Sequence, residues 1–258
     1  TRLAAFRTGQ VKLTGPGASG LTAADADIIR KTLPQVTVLS YPSFSRADLL
    51  PHNQRKPWTD IRVRKAFFLA YDQQEIVDLA NPKGGVPTGL FPSTSEWNLP
   101  KEELAKVPGV KEVTPQDIAE AKKLLADAGL GAGFSVTLPV RSQIRPQVRA
   151  GEVIREQMKR IGIAVTVQPL DDAVFFETVN KRSFKVSQVV FNQATGDPDA
   201  YLVHYTTGDP TNYFGYSDKE MDALIDRQSK TLDVAERRKL VFDIQRKLLD
   251  QYLFRPYW

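Results

Sequence analysis

The 258-residue sequence predicts an α/β fold with a mixed sheet flanked by helices. Three observations carry this. Between residues 134 and 191 the apolar pattern switches between strand and helix periods: "FSVTLPV", "RPQVRAGEVIREQMKRIG", "IAVTVQPL", "DAVFFETVNKR", "KVSQVVFNQ". Strands that alternate with helices in this way lie parallel, because each helix carries the chain back to the same end of the sheet. Helix boundaries are marked by capping residues and stop glycines. With 41% apolar and 25% charged residues, a chain of this length buries a sizeable core.

In chain order, "TRLAAFRTG" reads as the tail of a helix stopped by Gly9, and "QVKLT" as a short strand. "LTAADADIIRKTL" is a helix opened by Thr22 with Asp25 at capping-box spacing, and the β-branched run "QVTVLSYPSF" a strand. Residues 42 to 58 carry three prolines and little periodicity, so an extended connector is expected. In "KPWTDIRVRKAFFLAYDQQEIV", Asp60 caps one helix with Val63, Phe67 and Ala70 on its apolar face, and Asp72 with Glu75 opens a second. Residues 81 to 100 hold four prolines and three glycines and form a long irregular loop. Thr114 and Pro115 start the next helix, whose apolar stripe is Ile118, Ala121, Leu124, Leu125 and Ala128, with Gly129 as its stop. Gly162 stops the helix after the first of the alternating strands. "DPDAYLVHY" begins a short helix, and Ser217 with Glu220 and Asp233 with Glu236 open two final ones.

Charge and composition exclude several functions. The net charge of +5 comes from 35 basic against 30 acidic residues. The two signs alternate along the helices, so no nucleic-acid stripe is visible. The absence of cysteine excludes disulfides, thiolate metal sites and Cys nucleophiles. No run of 18 apolar residues is present to span a membrane. Gly15, Gly17 and Gly20 match G-x-G-x-x-G, but the following helix starts after the last glycine and the acidic residue expected beyond the next strand is missing, so a flexible turn is the better reading. His52 and His204 lack metal-ligand spacing and read as packing or hydrogen-bonding residues. Asp171 with Asp172, and Asp197 with Asp199, offer paired acids, but each pair sits where carboxylates cap a helix. No catalytic residue, metal or cofactor is expected.

"NQRKPWTDIRVRKAFFLAYDQQEIV" resembles the signature segment of the family 5 extracytoplasmic solute-binding proteins, which serve ABC transporters for peptides, nickel and related solutes. Asn53, Pro57, Trp58, Asp60, Arg62, Val63, Arg64, Ala66, Ala70, Asp72 and Ile76 carry the match. "RLAAFRTGQVKL" (with Lys12 where the family has Asp), "AKKLLADAG", "IREQMKRIGIAVTV", "DPDAYL", "NYFGYSDKEMDALID" and "AERRKLVFDIQRKLLDQYLFRPYW" follow in the family's order. The resemblance implies a periplasmic-binding-protein-like type II lobe in a two-lobed flytrap. Residues 1–40 would be the tail of the first lobe and the crossover, and 41–258 the second lobe. The chain is then expected to be a fragment, lacking most of the first lobe and the final return segment. It also implies capture of a peptide or similar small solute, delivery to an ABC permease, a periplasmic or cell-surface location, a monomer, and no nucleic-acid partner. A sensor or enzyme on the same fold is the alternative, since fold alone does not fix function.

In open α/β layers ligands sit beyond the carboxyl ends of the strands. That rule selects Arg141 after one strand, and Phe191, Asn192, Gln193, Ala194, Thr195 and Asp197 after another. Tyr213 lies in the loop before the last two helices, and Trp97 in the irregular loop, placed to cover the cleft. Core packing competes for Tyr213, and a solvated surface charge for Arg141. Peptide-binding relatives carry a Trp on the strand and, three residues on, an Asp for the peptide amine. Here Phe191 and Ala194 stand at those positions.

Overall fold

The computed structural model describes residues 4–5, 8–10, 23–39, 44–82, 85, 87–193 and 195–257. The expected strand at "QVKLT" and the glycine turn at 15–20 lie outside them, as do Thr22, Ala194 and the end of the run at 35–44. Over 35–39 no strand forms. Val36 N closes a turn on Leu33 O, and a strand needs a ladder partner that this segment does not find among the described residues.

The connector expected over 42–58 is a larger correction. Arg46–Pro51 is β1, the middle strand of a three-stranded sheet and buried along its whole length. It pairs antiparallel with β4 (Val186–Phe191), from Arg46 opposite Phe191 to Pro51 opposite Val186, and with β5 (Arg255–Pro256) on its other edge. Two charges in "RADLLP" hid it. Arg46 and Asp48 are two apart and so share one strand face. There they pair with each other: Nε to Oδ1 at 2.7 Å and Nη2 to Oδ2 at 2.6 Å.

β2 (Phe134–Arg141) and β3 (Ile163–Leu170) form a parallel pair, in register from Phe134 opposite Ile163 to Arg141 opposite Leu170. Helix α6 (Arg145–Lys159), so numbered in chain order with those below, joins them as the sequence predicts. Val136, Leu138 and Val140 bury one face of β2 against its Ala150, Ile154 and Met158. Gly151 lets that helix sit close, because an added Cβ would lie 3.0 Å from Val167 Cγ1. Gly133 enters β2 with φ +79°, and a Cβ there would come within 2.0 Å of Gly162 O. β2 packs beside β4. Ser135 and Thr137 line one cavity with Phe184 and Lys185, next to the start of β4. β4 nevertheless pairs with β1 and not with this parallel pair, so the alternating segment from 134 to 191 divides between two sheets.

The helices follow their caps. α1 is Ala23–Thr32. Asp60 caps α2 (Ile61–Leu69) and Asp72 caps α3 (Gln73–Ala80). Val63, Phe67 and Ala70 are buried, as their spacing predicts. The two arginines of α2 reach different elements: Arg62 Nη1 donates to Asp127 O at 2.7 Å, and Arg64 Nη1 to Trp58 O at 2.7 Å. A short α4 (Lys101–Leu104) follows the irregular loop, and Thr114 and Asp117 form the capping box of α5 (Pro115–Asp127). On α5 Ala121 and Leu125 are buried, while Leu124 packs half-exposed at the border of the core. α7 (Asp172–Asn180), α8 (Pro198–Leu202) and a 3₁₀ turn (Val203–Tyr205) flank β4 in sequence. α9 (Lys219–Lys230) starts one residue later than expected: Asp218, not Ser217, accepts from Glu220 N and Met221 N. Asp233 caps α10 (Val234–Asp250).

Two apolar clusters result. One lies under α2, α5 and α6. The other gathers Phe175, Phe191, Tyr201, Tyr205, Phe214 and Leu248 beneath α8 and α10. Arg46 reaches into the second. Besides Asp48 it donates to Leu90 O and to Tyr205 Oη, the latter at 3.1 Å, and its Cζ lies 5.1 Å from the Phe254 ring centroid. Burial works against its charge, but Asp48 outweighs this and leaves the guanidinium more basic than usual. Arg46→Ala is expected to cost about 3–5 kcal/mol, since Asp48 would be left buried and unpaired. The double variant Arg46→Met with Asp48→Leu is expected to lose less than the single one. Urea denaturation of both decides this, and a double variant as damaged as Arg46→Ala would count against it.

Candidate functional site

β4 ends in Phe191 and runs through Asn192 and Gln193 towards Asp197, the N-cap of α8. Alternation along the strand turns Phe191 inward. Its ring stacks on His204 at 4.1 Å between centroids and 30° between planes, and lies near parallel to Tyr213 at 6.1 Å and 18°. Phe191 is buried, and Tyr213 is half-buried. The three rings form a wall at the carboxyl end of the strand, with Arg46 Cζ 5.7 Å from the Phe191 centroid. Asn192 is exposed and accepts from Ser45 Oγ at 3.0 Å. Phe44 is half exposed and covers Gly196, where an added Cβ would meet its ring at 3.3 Å. Thr195 is exposed beside it, and Ala194 lies outside the described residues.

Behind the wall runs a chain of polar contacts. Gln193 Nε2 is 2.7 Å from His204 Nε2, His204 Nδ1 is 2.6 Å from Thr211 Oγ1, and Thr211 Oγ1 donates to Asp209 Oδ1 at 2.5 Å. The spacing of these residues, 193, 204, 209 and 211, gives no motif, although the sequence reads His204 as a packing or hydrogen-bonding residue. It packs, but it also orders the edge. Phe44, Ser45, Asp209 and Thr211 carried no sequence signal at all.

The charged candidates are all engaged. Asp197 caps Asp199 N and receives Arg237 Nη1 and Nη2 at 2.9 and 2.8 Å, which holds its carboxyl below the usual carboxylate range. Arg237 also lies 5.4 Å from the Trp97 ring, with Arg238 at 5.8 Å. Trp97 is half-buried against the second core cluster, and Arg237, the partner of Asp197, links it to the β4 loop. At the end of β2, Arg141 gives Nε and Nη2 to Asp172 at 2.8 and 2.5 Å, and its Cζ lies 5.0 Å from the Phe176 ring. Asp171 caps α7. Among the described residues no group of three or more His, Cys, Asp and Glu side chains could hold a metal ion. The structure thus gathers Phe191, Asn192, Gln193 and Tyr213 at one place, sets Asp197 with Trp97 beside it, and leaves Arg141 at the end of the neighbouring strand.

Residues 1–213 match the family described as "Bacterial extracellular solute-binding proteins, family 5 Middle". The chain belongs to this family. It is 23% identical over 240 residues to di/tripeptide-binding protein 1 of Pseudomonas aeruginosa, covering 90% of this chain and 43% of that protein. It is 27% identical over 202 residues to the periplasmic oligopeptide-binding protein OppA of Salmonella typhimurium, covering 76% and 36%. Its fold matches the dipeptide binding protein from Pseudoalteromonas in complex with Met-Leu with a TM-score of 0.81, at 20% identity, over 99% of this chain and 49% of that one. DppA from Helicobacter pylori in complex with the peptide STSA matches at 0.80, with 21% identity over 99% and 48%. The chain spans less than half the length of these curated relatives. The fold is a type II periplasmic-binding-protein lobe, as the resemblance implied.

Both histidines of this family member are buried, and burial pushes each down to about 4 from an ordinary 6.5; Arg55 adds to this at His52 and Arg46 at His204. The unfolded chain therefore binds more protons than the folded one between those values. Stability is fully present above pH 6.5 and falls as the pH drops, by up to about 1.4 kcal/mol per pH unit for each imidazole. Between pH 6.5 and 5 ordinary carboxylates stay ionised, so the histidines dominate the slope. Urea denaturation at pH 7 and pH 5 is expected to show the loss, and the His52→Gln, His204→Gln double variant a flatter profile. An equal slope in that variant would contradict the assignment.

Proposed function

We propose that this chain forms the ligand-holding second lobe of a binding protein for an ABC importer. On this reading residues 1–40 are the tail of a first lobe with its crossover and 41–258 the second lobe. The protein captures a peptide or similar small solute outside the cytoplasm and delivers it to a membrane permease. The observation that carries this is the carboxyl end of β4, where the ring wall meets exposed Asn192 and Thr195 and half-exposed Gln193. Such a half-site suits a ligand enclosed by a second lobe, because hinge closure supplies contacts from both sides. The relatives named for di-, tri- and oligopeptide binding support the ligand class. Among the described residues no helix is long and apolar enough to cross a membrane, consistent with a periplasmic or surface-held protein. Calorimetry on this chain and on a two-lobed natural gene product containing it tests the reading. Affinity at least tenfold weaker for the chain alone is expected, and equal affinity would defeat it.

The ligand is held without a carboxylate anchor for a free amine. Ala194 stands where peptide-binding relatives carry the Asp, and Asp197, the nearest acid in the loop, is committed to Arg237. A cation drawn into a closed cleft without a countercharge loses several kcal/mol, roughly. Peptides with free and acetylated amino termini are therefore expected to bind the intact protein within about tenfold of each other, or about 1.4 kcal/mol. A free-amine preference above tenfold would overturn this, and its loss in Asp197→Asn would make Asp197 the anchor.

A further inference from the structure

We propose that Asp209, Thr211 and His204 fix the amide of Gln193 so that its Oε1 faces the open edge, making Gln193 the specificity-determining acceptor for a neutral N–H group of the ligand. The inference rests on the binding-lobe reading above and names the chemistry of one contact within it.

Asp209 Oδ1 accepts from Thr211 N at 2.8 Å and from Thr211 Oγ1 at 2.5 Å. A carboxylate only accepts, so the single hydroxyl proton of Thr211 is committed to it. Thr211 Oγ1 then offers His204 lone pairs alone, and the 2.6 Å contact requires the hydrogen to sit on Nδ1. His204 is 7% exposed and stacked on Phe191, surroundings that favour the neutral imidazole. Its Nε2 is therefore a bare acceptor, and the group 2.7 Å away must be the amide NH₂ of Gln193. A rotated amide would set oxygen against a lone pair. The amide orientation that the network demands thus turns Oε1 away from His204. Among the described residues nothing donates to that oxygen, and Gln193 is half exposed at the edge where Asn192 and Thr195 are open.

What Gln193 offers is an uncharged carbonyl, oriented in advance and backed by a part-buried chain that ends in a carboxylate. A backbone N–H of a peptide matches it. A ligand carbonyl or carboxylate meets repulsion, and a side chain without hydrogens to donate leaves the oxygen unpaired, which disfavours binding.

Two measurements on the natural gene product containing this chain test the proposal. Long-range imidazole ¹H–¹⁵N spectra are expected to report His204 as the Nδ1–H tautomer, shifting towards a tautomer mixture in Thr211→Val and restored in Thr211→Ser. An Nε2–H tautomer in the parent protein, or one indifferent to Thr211→Val, would overturn the orientation. The second measurement uses an alanine series of di- to pentapeptides and their singly N-methylated forms. Gln193→Met is expected to weaken the parent peptides about tenfold while leaving unchanged the one methylated form whose contacting N–H is already gone. Unchanged parent affinity, or an equal loss for every methylated form, would overturn the acceptor role. A protein that binds no peptide yet shows the Nδ1–H form would sink the peptide reading and leave the orientation standing.

Discussion

A fully buried bidentate ion pair, Arg46 with Asp48, holds the middle strand, and the rest of the lobe is arranged around it. Taking two charges out of water is unfavourable by several kcal/mol for each ion, roughly, unless geometry and further hydrogen bonds offset it. Here they do. Both carboxylate oxygens are matched by the guanidinium, and the remaining donors find Leu90 O and Tyr205 Oη. The rings of Phe191, Tyr201 and Phe254 lie within 6.0 Å of its Cζ. One side chain thereby joins β1 to the irregular loop, the 3₁₀ turn, α8, β4 and the residue just before β5. The ring wall of the site stands on it, because Phe191 is the residue opposite Arg46 in the ladder.

Other cations of this basic chain are used in the same way, as internal clamps. Arg255 is fully buried, yet it is held mainly by carbonyls: Pro108, Phe254 and Leu249, with the Phe68 ring at 4.9 Å. Burial lowers its basicity to about 10, so it stays charged at neutral pH, with no carboxylate hydrogen-bonded to it among the described residues. Gly109 makes room for it, since a Cβ there would come within 2.9 Å of its Cγ. Arg64 ties α2 to Trp58 and Gln251, and Arg246 ties α10 to Glu103 beyond the irregular loop. The net charge of +5 is therefore distributed over joints between elements, in line with the alternation of signs in the sequence.

This explains which parts of the fold were legible. Caps and apolar periods are local, and they placed α2, α3, α5 and α10 through Asp60, Asp72, Thr114 and Asp233. The alternating strands and helices from 134 to 191 were equally plain. β1 was not, because its two charges cancel only across a pair that sequence alone does not form, and prolines flank it. For the site, the rule of strand ends selected Phe191, Asn192 and Gln193, and the turn before α9 gave Tyr213. His204, Thr211 and Asp209 meet Gln193 only because α8 and the 3₁₀ turn fold back under the end of β4. Contacts of that kind have no spacing to read.

The same accounting bears on what the edge can recognise. Among the described residues the acids named above are engaged: Asp197 with Arg237, Asp209 with Thr211, Asp172 with Arg141. Arg141 and Arg237 are taken as well, by Asp172 and Asp197, whereas Arg182 near Tyr213 reaches only the Asp209 carbonyl, at 3.5 Å. The edge itself presents ring faces and the neutral hydrogen-bonding groups of Asn192, Gln193 and Thr195. Such an edge gains little from a charged terminus and much from a regularly spaced backbone, whose N–H and C=O groups every peptide carries. On the proposed peptide-binding reading, selectivity then rests on where donors and acceptors fall along the ligand rather than on its net charge. That is the arrangement a lobe needs if a second lobe is to close over ligands of differing side chains without burying an unpaired ion.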